Sequence, residues 1–225
     1  MKIFISGIIL FFITLAVNAQ NSISSFEQLR KTYQYSSSEE KAKLDSTYQY
    51  LEQNLKDQQV KDIGGISFGI SRDIALELLK NKYGEPVNNP TSTTISFNNI
   101  KYAGYDFDSV HFLFQSDGIN SYFNSCIFIL NAKTKKEAIE KQEFLYKALY
   151  DKYNMFKSET EDGFYIYCGG VSPLWDGHWY NLKTDFYAAV SIDIIQFEQY
   201  LVDVYGYKYS ARLVYGPFNY IKEEF

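Results

Sequence analysis

The chain predicts an α+β fold, an antiparallel sheet or sheets with helices packed on one face. Three observations carry this reading. Alternating, strand-like runs come in blocks joined by hairpin signals. Amphipathic helical segments precede those blocks and do not alternate with single strands, as a parallel βαβ sheet would require. Aromatic residues make up 18% of the chain, with 21 Tyr and 18 Phe, so large rings are at hand to fill a core.

Each element has its own local signature. Lys2, the apolar run Ile3 to Val17 and the small-residue site Val17-Asn18-Ala19 read as a secretory signal peptide over residues 1–19. Residues 20–62 read as a short helical lead segment. Phe26, Leu29 and Tyr33 keep helical spacing, and after Ser36-Ser37-Ser38 so do Leu44, Tyr48, Leu51 and Leu55. Ser37 or Ser38 suits the N-cap of the second helix, with Glu39 and Glu40 at its positive end. Gly64-Gly65 closes this segment, and Ile66-Ser67-Phe68 is an extended lead-in. Ser71 is an N-cap for a helix with Ala75, Leu78, Leu79 and Lys82 on one face, stopped by Gly84 and Pro86.

Residues 88–92 form a polar turn, and strands follow. Thr93 to Phe97 alternates, Ile100 to Tyr105 runs through Gly104, and in Ser109 to Phe114 the side chains of Val110, Phe112 and Phe114 oppose His111 and Leu113. Asp117-Gly118 is a hairpin signal. Tyr122 to Leu130 is apolar on both faces, as an interior strand would be. Thr134 caps a helix over 135–153 with Ala138, Leu145, Ala148 and Leu149 facing inward. Strand patterns return at 155–160, 163–168, 185–195 and 208–215, with 196–206 either a short helix or a loop, and Gly216-Pro217 ends the last strand. The acids Glu159, Glu161 and Asp162 fall in a hairpin turn and read as solvated. Residues 63–225 therefore form one α+β domain. It divides either into two tandem α-βββ units, 63–132 and 133–225, or folds as one continuous sheet.

Four short runs carry a family likeness: Phe68-Gly69-Ile70-Ser71-Arg72, Lys82-Tyr83-Gly84-Glu85-Pro86, Tyr102-Ala103-Gly104-Tyr105 and Leu213-Val214-Tyr215-Gly216-Pro217-Phe218. Over roughly 63–225 the chain resembles uncharacterised secreted bacterial proteins with the tandem α-βββ fold of β-lactamase-inhibitor-like proteins. The shared motifs are a cap, a helix stop, a strand glycine and a final turn. The resemblance implies a fold and export. It transfers no catalytic residue and does not imply inhibition of a β-lactamase.

Charge narrows the partners. With 22 Lys and Arg against 27 Asp and Glu, the net charge is −5, and no basic block offers the footprint that nucleic acid or an anionic membrane needs. Past the signal, no apolar run reaches the ~20 residues of a membrane helix. No cysteine stands at the cleavage site, so no lipid anchor is expected. The protein is expected to be exported and soluble, in the periplasm or outside the cell.

Few residues suggest chemistry. His111 and His178 are the only histidines, and no H-x-x-H, C-x-x-C, P-loop, G-x-G-x-x-G or G-x-S-x-G motif is present. No metal or cofactor is expected. His111 reads as a structural or surface strand residue. A nucleophile built from Cys126 or Cys168 with His178 would need a stabilised thiolate, and both cysteines lie inside strand runs. As the only two thiols of an exported chain, they suit a Cys126–Cys168 disulfide; two unpaired buried thiols fit equally well.

The segment 169–181, GGVSPLWDGHWYN, holds both Trp residues, Trp175 and Trp179, beside Asp176, His178 and Tyr180. It reads as a loop whose rings either cover one end of the sheet or grip a ligand. The preferred function is a non-catalytic binding or protein-interaction module that uses this loop together with the exposed sheet face. Its expected partner is an envelope or extracellular protein, with a carbohydrate second. The alternative is a cell-envelope or glycan-directed hydrolase with a site near His178, and a third reading is a self-associating envelope subunit.

Overall fold

A computed structural model describes residues 32, 34–87, 93–160, 163–174, 189–218 and 220. The chain divides into two compact units, one ending at Gln58 and the other beginning at Gln59. The signal-peptide segment 1–19 and the residues Trp175, Asp176, His178, Trp179 and Tyr180 lie outside the described residues.

In the first unit, helix α1 (Ser38–Asp57) starts where its capping chemistry dictates. The Ser37 hydroxyl accepts from the Glu40 amide at 3.4 Å, and the Glu40 carboxylate accepts from the Ser37 amide at 2.9 Å. This reciprocal capping box satisfies two otherwise orphaned donors.

The second unit begins with a two-stranded ribbon, β1 (Asp62–Ile63) and β2 (Ile66–Ser67), turned by Gly64 and Gly65, both at positive φ. Helix α2 (Arg72–Tyr83) follows. Ser71 occupies its N-cap position, but its side chain makes no capping bond. Instead the backbone of 69–71 pairs with the start of a sheet strand: the Gly69 amide donates to Phe123 O at 2.7 Å, and the Phe123 amide donates to Ile70 O at 2.9 Å. Ala75 and Leu79 of α2 are buried, whereas Leu78 is 39% exposed.

The main sheet has seven antiparallel strands in the order β3-β4-β5-β9-β8-β7-β6: β3 (Thr94–Tyr102), β4 (Tyr105–Ser116), β5 (Ser121–Ala132), β6 (Phe156–Glu159), β7 (Tyr165–Gly169), β8 (Val190–Gln196) and β9 (Tyr209–Tyr215). Helix α3 (Lys135–Tyr153) stands between β5 and β6, and α4 (Gln199–Tyr205) between β8 and β9. The sheet is continuous and made of two meanders, β3-β4-β5 and β6-β7-β8-β9, each preceded by a long helix and joined where β5 pairs with β9. Ala103 and Gly104, both at positive φ, make the tight β3–β4 turn, the conformation that matches strand twist.

Rows of paired residues run across the sheet and assign its faces. Ile95, Phe112, Cys126, Tyr215, Val190 and Gly169 form one row; Phe97, Val110, Phe128, Leu213, Ile192 and Tyr167 form the next on the same face. This face is buried and forms the core together with Ala75 and Leu79 of α2 and Leu145, Leu149 and Tyr153 of α3. Rings dominate it: Phe68 stacks on Phe123 at 4.6 Å, Tyr102 on Phe128 at 4.5 Å, and Phe97 meets Phe112 edge-on at 6.0 Å, each pair adding roughly 0.5–1.5 kcal/mol beyond area burial.

Thr134 caps α3 by accepting from the Glu137 amide at 3.2 Å. Its inward stripe differs from the apolar pattern at two places. Ala148 is exposed, and Gln142 is 2% exposed. The Gln142 amide reaches over the sheet to donate to Tyr165 O at 2.6 Å and Ile192 O at 3.2 Å, so a polar residue holds a core position by satisfying strand carbonyls.

The disulfide expectation is corrected. Cys126 and Cys168 are both free. Strands β9 and β8 lie between β5 and β7, a gap of three strand spacings, or about 14 Å, where a bridge needs Cα atoms within roughly 7 Å. The register also sends them to opposite faces, since Cys126 shares a row with Gly169 and Cys168 pairs with Ser191 one residue along.

Candidate functional site

The other face of the sheet carries the polar half of the alternation. Ser96, His111 and Ile127 form one of its rows; Asn98, Ser109, Ile129, Arg212 and Asp193 form the next. A groove of about 570 Å³ lies on this face. Its floor crosses β3, β4, β5, β9 and, through Ile195, β8, and its wall is Phe197, Tyr205 and Tyr207 from the end of α4 and its flanking turns.

The groove's most unusual feature is a break in the pleat. Asn98 pairs with Ser109 and Ile100 with Phe107, yet no Cα pair forms between them at Asn99 and Asp108. Asn99 sits at φ 54, a left-handed conformation that Asn tolerates better than other residues with a Cβ. The flip puts two consecutive residues of each strand on the groove side. Asn98, Asn99, Asp108 and Ser109 all line it, and Ile100 and Phe107 then return to the buried face. A regular ladder would have sent Asn99 and Asp108 into the core. Irregular ladders of this kind re-aim side chains, and backbone strain gathers where side chains are put to use.

The electrostatics follow from the pairings. Arg212 donates from Nε to Asp193 at 2.7 Å and from its terminal nitrogen at 2.5 Å, a bidentate clamp. Both side chains are mostly covered, at 27% and 21% exposure. His111 shares a hydrogen bond of 2.8 Å between Nδ1 and the Ser96 hydroxyl, and burial holds its pKa below the ordinary value. Ser96 is 7% exposed, too covered for a nucleophile, so this bond orients the ring and turns Nε2 away from it. The Asn131 amide oxygen accepts from Ser210 at 2.8 Å. The side chains of Asn98, Asn99 and Ser109 carry no hydrogen bond among the described residues. Tyr205 and Tyr207 stack at 5.8 Å with 21° between their planes, and Phe197 meets Tyr207 edge-on at 5.4 Å.

The cysteines stand apart from the groove and from thiolate chemistry. Burial pushes the Cys126 thiol well up. Burial, with the Asp193 charge second, pushes Cys168 to about 11. Both stay protonated at neutral pH, the opposite of what a nucleophile requires. Among the described residues no three His, Cys, Asp or Glu gather to hold a metal ion, and no helix is long and apolar enough to cross a membrane.

Of the residues weighed for chemistry in the sequence, the structure describes His111, Cys126, Cys168 and Glu159; Glu159 is exposed and ends β6 where a turn was expected, and only His111 lines the groove. Sequence reasoning missed Asn98, Asn99, Asp108, Ser109, Arg212, Tyr205 and Tyr207. A signal for some of them existed: polar pairs, Asn98-Asn99 and Asp108-Ser109, interrupt two otherwise alternating strands at matching places. No protein-family model, curated protein or solved structure matches the chain.

Proposed function

We propose that the protein is an exported, non-catalytic binding module that works through the open face of its sheet. The observation that supports this reading is the pleat break, which brings polar side chains from two adjacent strands into a groove walled by aromatic rings: Asn98, Asn99 and Ser109, without a hydrogen bond among the described residues, and Asp108, whose carboxylate accepts from the Asn131 backbone amide at 2.7 Å. Small-ligand sites have this composition, a largely apolar and aromatic lining with a few placed polar groups, and volumes near this one. In the groove His111 is tied to a covered serine, and Arg212 is held by a carboxylate. These groups suit recognition better than proton transfer.

Affinity capture tests the reading. The protein would be purified from cells expressing the full sequence, immobilised, and offered envelope and medium fractions of its source. Bound proteins and glycans would be identified by mass spectrometry. The expected result is a stoichiometric ligand that is lost when Tyr205→Ala and Tyr207→Ala are combined, with the melting temperature unchanged. Retention of every captured ligand by that variant would remove the groove from the account.

A further inference from the structure

We propose that the groove is a saccharide site. A neutral sugar ring packs on Tyr205 and Tyr207, and its hydroxyls bond to Asn98, Asn99, Asp108 and Ser109. This rests on the binding-module reading above and names the ligand class for the same groove.

Charge excludes the commonest small ligands first. Among the described residues Arg212 is the only Lys or Arg in the lining, and it donates from two nitrogens to Asp193. Asp108 adds a negative charge at the rim. A phosphate or carboxylate would therefore meet no uncommitted cation and one carboxylate, which disfavours it.

Polarity excludes a wholly apolar ligand. The amides of Asn98 and Asn99 and the hydroxyl of Ser109 line the groove, and none of these three is hydrogen-bonded among the described residues. Covering them with hydrocarbon would strand them. Each amide presents a donor and an acceptor side by side, and neighbouring sugar hydroxyls, which both donate and accept, match that pair. Asp108 accepts from the Asn131 backbone amide through one carboxylate oxygen at 2.7 Å, and a sugar hydroxyl donates to the other. The wall is aromatic, formed by Tyr205 stacked on Tyr207 at 5.8 Å, so that the outer face of the pair offers an apolar ring surface. A pyranose has both surfaces, a face of C–H bonds and a rim of hydroxyls. The groove places an aromatic wall against a rim of amides in the same arrangement.

The test is calorimetric titration of the protein with cellotriose, maltotriose, laminaritriose and tri-N-acetylchitotriose, backed by a glycan array. Trigalacturonic acid and glucose 6-phosphate serve as charged counterparts. Two variants accompany it, combined Tyr205→Ala and Tyr207→Ala, and Asn99→Gly, which removes an amide while keeping a residue suited to the left-handed backbone. The expected result is a neutral glycan bound at least tenfold more weakly by either variant, with both variants melting as the unmodified protein does, and no tighter binding of the charged sugars. No neutral glycan bound, a charged sugar bound more tightly, or affinity unmoved by either variant would overturn the proposal. If glycans fail but a captured protein is lost with the tyrosine variant, the saccharide assignment falls and the binding module stands. If neither kind of ligand responds to the variants, both fall.

Discussion

Tyr83 packs its ring among Phe97 and Phe112, at 5.6 and 6.0 Å, while its buried hydroxyl has no hydrogen-bond partner among the described residues. An unsatisfied buried hydroxyl costs roughly 1–3 kcal/mol. We therefore expect Tyr83→Phe to leave the urea midpoint unchanged or raise it, with an unaltered slope. A midpoint lowered by more than about 1 kcal/mol of stability would mean that the hydroxyl is bonded. His111 supplies a pH dependence. Burial lowers its pKa in the fold below the ordinary 6.5, so the unfolded chain binds the proton more readily. Its contribution to stability is whole above pH 6.5 and is lost as pH falls from there through the lower folded value. Denaturation midpoints at pH 7.5 and 5 should separate more widely for the unmodified protein than for His111→Gln, which cannot take up that proton. Equal separations would contradict this. His111 was legible in the sequence as a strand residue on the face opposite Val110 and Phe112. Its place in a groove was not, because nothing local reports that five strands and a distant turn meet there.

At the scale of elements, most of the fold was readable where period and capping agree. The hairpin at Asp117-Gly118, the Thr134 cap and the Gly84 stop all act through residues within a turn of themselves. The errors came where tertiary contacts override the local pattern. Leu78 follows helical spacing but lies at the edge of the α2 stripe, and Gln142 holds a place that spacing alone would give to an apolar residue. The pleat break at Asn99 is the feature on which the site depends. A β-branched residue there would have to adopt the left-handed region, at about 1–3 kcal/mol. Asn99→Val should thus lose about that much stability by urea denaturation, while Asn99→Gly should lose none. Equal losses in both variants would show that the side chain, and not the backbone, holds the turn.

At the scale of the molecule, two meanders share one sheet, and their long helices bury a single face. The opposite face is therefore free to carry a groove. The same layering decides the cysteines, which three strand spacings and opposite faces keep apart. Alkylation of the unreduced, denatured protein should label both Cys126 and Cys168, and reductant should leave the melting temperature unmoved. A single unlabelled pair would contradict the register. Strand pairing of this kind was not legible, because no spacing along the chain says that β9 inserts between β5 and β8. Ligands are expected to meet the open sheet face. Hydrogen–deuterium exchange of the protein, with and without a saturating ligand from the capture experiment, tests this most directly. New protection confined to residues 98–111 and 197–212 is expected. Protection on α2 and α3 with those segments unchanged would contradict it.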